Sequence, residues 1–89
     1  MRLTATSKIV NKKGLHARAS AKVVEAAARF QSQITVTYDG QSVDARSIMG
    51  LMMLAASLGT EIRIDVEGPD AEEALRAILA LAEAKFGED

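Results

Sequence analysis

His16 is the only histidine in a chain of 89 residues that has no cysteine, so nucleophilic chemistry near neutral pH has one obvious candidate. It lies inside Gly14-Leu15-His16-Ala17-Arg18, where the alanine-rich stretch from Ala17 to Phe30 predicts the start of a helix. Gly14 permits a sharp turn just ahead of it. The first amides of a helix lack internal partners and carry the positive end of its dipole, which makes them an anion site. An imidazole at that point, with Arg18 beside it, could take a phosphoryl group and have backbone donors hold it. A lone histidine before a helix is also commonly a solvated loop or cap residue, and these five residues alone leave both readings open.

A second constellation begins at Ser47, directly before the apolar run Ile48-Met49-Gly50-Leu51-Met52-Met53-Leu54-Ala55-Ala56. Serine is a favoured N-cap, a role worth about 1 kcal/mol. Helical spacing puts Leu51, Leu54, Ala55 and Leu58 on one stripe, expected in the core. Ile48, Met49, Met52 and Met53 fall on another. A helix in a single layer cannot bury both sides, so the second stripe is expected to be a partner surface, for which adaptable methionine is suited. Coverage by neighbouring loops is the alternative.

The elements that must position these residues follow from composition and periodicity. A chain of this length predicts one domain, residues 1–89, burying about 60–65% of its unfolded surface. With no cysteine, a single histidine and no clustered carboxylates, no metal site is expected. A net charge of −1 argues against a general nucleic-acid or membrane-surface binder. The opening Met1-Arg2-Leu3-Thr4-Ala5-Thr6 lacks the apolar stretch of a signal peptide, and no run reaches membrane-spanning length, so a cytoplasmic protein is expected.

Leu3, Ala5, Ser7 and Ile9 alternate with Arg2, Thr4, Thr6 and Lys8 as a half-buried strand. Asn11-Lys12-Lys13-Gly14 is the loop that delivers His16. In the first helix Ala19, Val23, Ala26, Ala27 and Phe30 share a face, while Arg18, Lys22, Glu25 and Arg29 line another. Ile34, Val36 and Tyr38 form a second strand, and Asp39-Gly40 turns it into a short partner carrying Val43. Ile62, Ile64 and Val66 point inward from a fourth strand. Gly68-Pro69 ends it, and Asp70 with Glu73 makes a capping-box pattern for a last helix. Its apolar face is Ala71, Leu75, Ile78, Leu79, Ala82 and Phe86, with Gly87 as the stop. The order β-α-β-β-α-β-α predicts a two-layer α+β open-faced sandwich, with pattern alone leaving the strand order open.

Gly14-Leu15-His16-Ala17-Arg18 and Arg46-Ser47-Ile48-Met49-Gly50-Leu51-Met52 together resemble the two signature segments of the HPr family, the histidine-containing phosphocarriers of the bacterial phosphotransferase system. The likeness runs from Arg2 to about Phe86, with both segments at the expected separation. One departure is Ala19, where the family usually has a proline suited to a helix's first turn. The resemblance implies a four-stranded antiparallel sheet ordered 1-4-2-3 with three helices on one face. It implies that His16 accepts a phosphoryl group through Nδ1 from enzyme I and donates it to enzyme IIA domains, with no bound cofactor. Such a protein is a carrier and a substrate of enzyme I, without independent turnover.

The amides of Ala17 and Arg18 and the Arg18 guanidinium are then the phosphate-holding candidates. Docking would use Ile48, Met49, Met52 and Met53, rimmed by Lys12, Lys13, Arg18, Lys22 and Arg46. In many bacteria of this family the serine matching Ser47 is phosphorylated by an ATP-dependent HPr kinase/phosphorylase, so Ser47 is a candidate regulatory site. A monomer is expected, with neither nucleic acid nor membrane insertion in its function. Three rivals stand beside this reading: a carrier of the nitrogen-related regulatory branch, a ferredoxin-like domain binding a small regulator, and an RNA-binding module. The second needs a ligand-sized cleft, and the third needs aromatic residues on the open sheet face.

Overall fold

The alternation of the first strand is realised in the computed structural model, which describes residues 1–88: β1 spans Arg2–Lys8, with Leu3, Ala5 and Ser7 turned toward the core and their neighbours exposed. The remaining elements are α1 (Ala17–Ala27), β2 (Gln33–Tyr38), β3 (Gln41–Asp44), α2 (Ile48–Leu54), β4 (Glu61–Glu67) and α3 (Ala71–Glu83), with a short 3₁₀ turn at Lys85–Gly87. The strands form one antiparallel sheet ordered β1-β4-β2-β3, the order implied by the resemblance. The expected turn joins β2 to β3, with Asp39 and Gly40 both at positive φ (52° and 80°).

Register puts one kind of side chain on each face of this sheet. Leu3 pairs with Val66, Ala5 with Ile64, and Val36 with both Ile64 and Val43, so the apolar positions coincide across all four strands. The three helices cover that face. Ile34, Val36, Ile64 and Val66 from the sheet, Ala19 and Val23 from α1, Leu51 from α2 and Ile78 from α3 are all buried in one core. Each fully buried Val, Leu or Ile contributes roughly 1.5–3 kcal/mol. The opposite face stays polar: Thr4 donates to Asp65 at 2.6 Å, and Arg63 meets the same carboxylate at 2.9 Å.

Four expectations need correction. The first helix closes at Ala27, so Phe30 packs half-buried from the loop beyond it. In the apolar helix only Leu51 and Leu54 enter the core. Ala55 adopts a left-handed backbone (φ 56°) that ends α2 there, which leaves Ala55 exposed and Leu58 54% exposed. Nothing in the apolar pattern signalled that break, because a residue other than glycine takes the left-handed position.

The Asp70–Glu73 capping box does not form. Asp70 stands at the N-cap position, but its carboxylate reaches sideways to the α1–β2 loop, accepting from the Gln31 and Ser32 amides at 2.9 Å and from the Ser32 hydroxyl. These bonds, led by the Ser32 hydroxyl, hold the Asp70 carboxyl below its usual range. Lastly, α3 stops at Glu83. Lys85 and Phe86 then take left-handed conformations (φ 59° and 55°), and Phe86 reaches the core from a turn instead of from the helix face.

Candidate functional site

The loop between β1 and α1 is built to hold one conformation. Gly14 takes φ +63°, and a Cβ there would run into the Ala56 carbonyl and lie 2.9 Å from the Cα of Ser57. The buried Asn11 side chain donates to the Gly14 carbonyl at 2.9 Å, and the Leu15 amide donates to the Ala56 carbonyl at 3.0 Å. Ile9 is stapled to the segment before β4 by bonds to Thr60 and Gly59, both at 2.8 Å. Leu15 is buried, and its own carbonyl accepts from the Ser20 hydroxyl at 3.1 Å. The next residue, His16, therefore has little freedom in where its Cα sits.

His16 is the N-cap of α1, and its ring does the capping. The Arg18 amide donates to Nδ1 at 3.3 Å, while Nε2 lies 2.7 Å from Oε1 of Glu88. The two contacts select one neutral tautomer: Nδ1 accepts, so it carries the lone pair, and Nε2–H donates to the Glu88 carboxylate. The side chain keeps 26% of its surface exposed, so a partner can reach it. The His16 hydrogen bond holds the Glu88 carboxyl below the usual carboxylate range; partial burial opposes this, and the Asn11 amide and the Arg18 charge add to it.

An open cleft of about 410 Å³ is lined by Lys12, Lys13, Arg18, Gly87 and Glu88, the last being the residue that bonds the His16 ring. Lys22 belongs to the same neighbourhood, since a Cβ on Gly87 would come within 3.3 Å of its ammonium. Four cationic side chains, Lys12, Lys13, Arg18 and Lys22, thus gather with the Glu88 carboxylate beside the start of α1. Arg46 is elsewhere. Its guanidinium donates to the carbonyls of Phe30 at 2.6 Å and Ser32 at 3.4 Å, just beyond the C-terminal end of α1, whereas His16 opens the N-terminal end.

Ser47 caps α2 by accepting from the Gly50 amide at 3.0 Å. The stripe beyond it is uncovered: Met49 and Met53 are 65% and 73% exposed, and Ile48, Met52 and Leu58 are also open. Leu58, beyond the early end of α2, is exposed where the helical spacing had put it in the core. Because Ala56 abuts Gly14, the C-terminal end of the patch adjoins the histidine loop.

Glu88 was missed in the sequence, where 72 positions separate it from His16 and no local pattern connects them. The open sheet face presents threonines and charges, and Tyr38, the aromatic on a strand, packs toward the core, so it lacks the stacking residues an RNA module needs.

Residues 3–84 match the protein family described as the PTS HPr component phosphorylation site. The phosphocarrier protein HPr of Cupriavidus necator is 52% identical over 80 residues, 90% of each chain. A phosphocarrier protein NPr of Shewanella violacea is 44% identical over 80 residues, 90% of this chain and 88% of that one. Among solved structures, an HPr from Thermoanaerobacter tengcongensis superposes with a TM-score of 0.93 at 47% identity, covering 98% of both chains.

Proposed function

The chain belongs to the HPr family of phosphotransferase-system phosphocarriers, and from that premise we propose that His16 takes a phosphoryl group on Nδ1 from a phosphohistidine of enzyme I, itself loaded from phosphoenolpyruvate, and gives it to enzyme IIA domains. The observation that carries this reading is the ring's hydrogen bonding: with Nε2 donating to Glu88, the lone pair sits on Nδ1 at the mouth of α1. In-line attack by Nδ1 brings the three phosphoryl oxygens to the Ala17 and Arg18 amides and the Arg18 guanidinium, so positioning and charge stabilisation do most of the catalysis. Ala19 adds a first-turn amide in place of the family's proline.

The whole chain works as one domain, a monomer in the cytoplasm that is a substrate of its partners and has no turnover of its own. Enzyme I and the IIA domains dock on Ile48, Met49, Met52 and Met53, with Lys12, Lys13, Arg18 and Lys22 forming the near rim and Arg46 the far one. Ser47 is the regulatory position, open to an HPr kinase/phosphorylase. Its phosphate would sit on the α2 N-terminus and put about two negative charges beside the docking surface. A second reading, service in a nitrogen-related regulatory branch without a direct transport role, has the likeness to the Shewanella NPr behind it.

Incubation with purified enzyme I and labelled phosphoenolpyruvate tests the proposal. Wild type should take up one acid-labile label that maps to His16, and H16A should fold normally and take up none. A label retained in H16A, or mapped elsewhere, would end this reading.

A further inference from the structure

We infer that Glu88 is a positioning residue, one that keeps the His16 ring protonated at Nε2 and stabilises the cation formed when Nδ1 carries a phosphoryl group. This rests on His16 being the acceptor. Oε1 of Glu88 lies 2.7 Å from Nε2, a length typical of a charge-assisted bond. The carboxylate is aimed there by its surroundings. Phe86 is buried beneath the turn, Lys85, Phe86 and Gly87 all take positive φ, the Glu88 amide bonds the Lys85 carbonyl at 2.9 Å, and Asn11 donates to the same Oε1 at 3.4 Å. Two consecutive left-handed residues other than glycine are unfavourable, and here they return the chain to the site.

The chemistry gives that contact a purpose. Attack puts the Nδ1 electron pair into a new N–P bond, while the donor's N–P bond breaks and its pair stays on the donor imidazole. The His16 ring, still protonated at Nε2, becomes a cation facing the carboxylate. In onward transfer the P–Nδ1 bond breaks, its pair returns to Nδ1, and neutral imidazole departs with the Nε2 proton in place. A ring that had lost that proton would have to leave as imidazolate, a much poorer leaving group. The other charged side chains gathered at this end of α1 are cations, Lys12 and Lys13 from the loop and Arg18 and Lys22 from α1, and α2 carries no charged residue. Glu88 is the carboxylate that the described residues bring against it. Its role parallels that of the aspartate in a hydrolase triad, which orients an imidazole and stabilises its cation without taking the proton away.

E88Q keeps the size and a hydrogen-bonding oxygen but removes the charge. Hydrolysis of the His16-phosphorylated forms is followed against pH. At about pH 8 the variant should lose its phosphoryl group about three- to tenfold more slowly than wild type, because less of its ring is protonated. At low pH, with both rings fully protonated, the two rates should meet, and E88D should recover part of the difference. Coincident profiles at every pH would overturn the inference, since a merely structural contact would not shift them. If neither protein is labelled at His16, the acceptor reading itself has failed. Nitrogen NMR of the unlabelled wild-type ring then still tests the contact: the Nε2–H tautomer alone is expected, and a mixture of tautomers would sink it.

Discussion

The amide of Leu15 donates to the carbonyl of Ala56 at 3.0 Å, and that same carbonyl occupies the space a side chain on Gly14 would need. The histidine loop and the end of α2 are therefore one joint. Through it the His16 loop and the apolar surface of α2, 41 positions apart at Leu15 and Ala56, are held side by side.

G14A attacks this joint twice, by forcing a methyl-bearing residue to φ +63° and by pushing against the Ala56 backbone. Denaturant unfolding should show a loss of about 2–3 kcal/mol. Phosphoryl uptake should fall by more than the folded fraction explains, because His16 moves with the loop.

R18A should slow phosphoryl uptake from enzyme I by roughly tenfold or more while the label stays on His16. The Arg18 amide survives the substitution, so the cap on Nδ1 remains and only the guanidinium is lost. Rapid-quench kinetics read this out, and an unchanged rate would remove Arg18 from phosphate binding.

Ser47 separates a capping role from a docking role. S47A removes the acceptor of the Gly50 amide and should cost about 1 kcal/mol of stability with little effect on partner affinity. S47D can still cap, so its stability should stay near wild type, while titration calorimetry with enzyme I should show weaker binding. Equal affinity for S47D and wild type would mean that charge at this position does not regulate docking.

Asp70 sets an acid dependence. Its carboxyl is depressed in the folded chain, so its contribution is fully present above the unfolded carboxylate value of about 3.9 and is lost as pH falls through the lower folded value. D70N should lower stability at neutral pH and flatten the fall below about pH 4. Some slope should persist, because Asp65, held down chiefly by its bond from Thr4, titrates in the same sense. Urea unfolding across acid pH measures both effects.

What the sequence disclosed was local. Alternation in β1 and β4, the Asp39-Gly40 turn and the Ser47 cap each need only a few neighbours to be recognised, and each stands as expected. The errors came where a residue chose a distant partner over a near one, or took a backbone conformation its type does not announce. Asp70 had Glu73 in capping range but spends its oxygens on Ser32 and Gln31, 38 and 39 positions away. Ala55 ended a helix in a conformation its side chain does not favour, and Leu58 left the core with it. Glu88 was invisible for the same reason, since only the completed fold brings it to His16.

The uncovered sulfurs of α2 carry one more consequence. Met49 and Met53 stand in solvent while the aliphatic core is sealed, so dissolved peroxide has direct access to these thioethers. Sulfoxide oxygens there would turn an exposed apolar surface into a polar one, at positions outside the buried core. If this patch is the docking surface proposed above, a preparation aged in air would keep its imidazole intact and yet bind enzyme I more weakly.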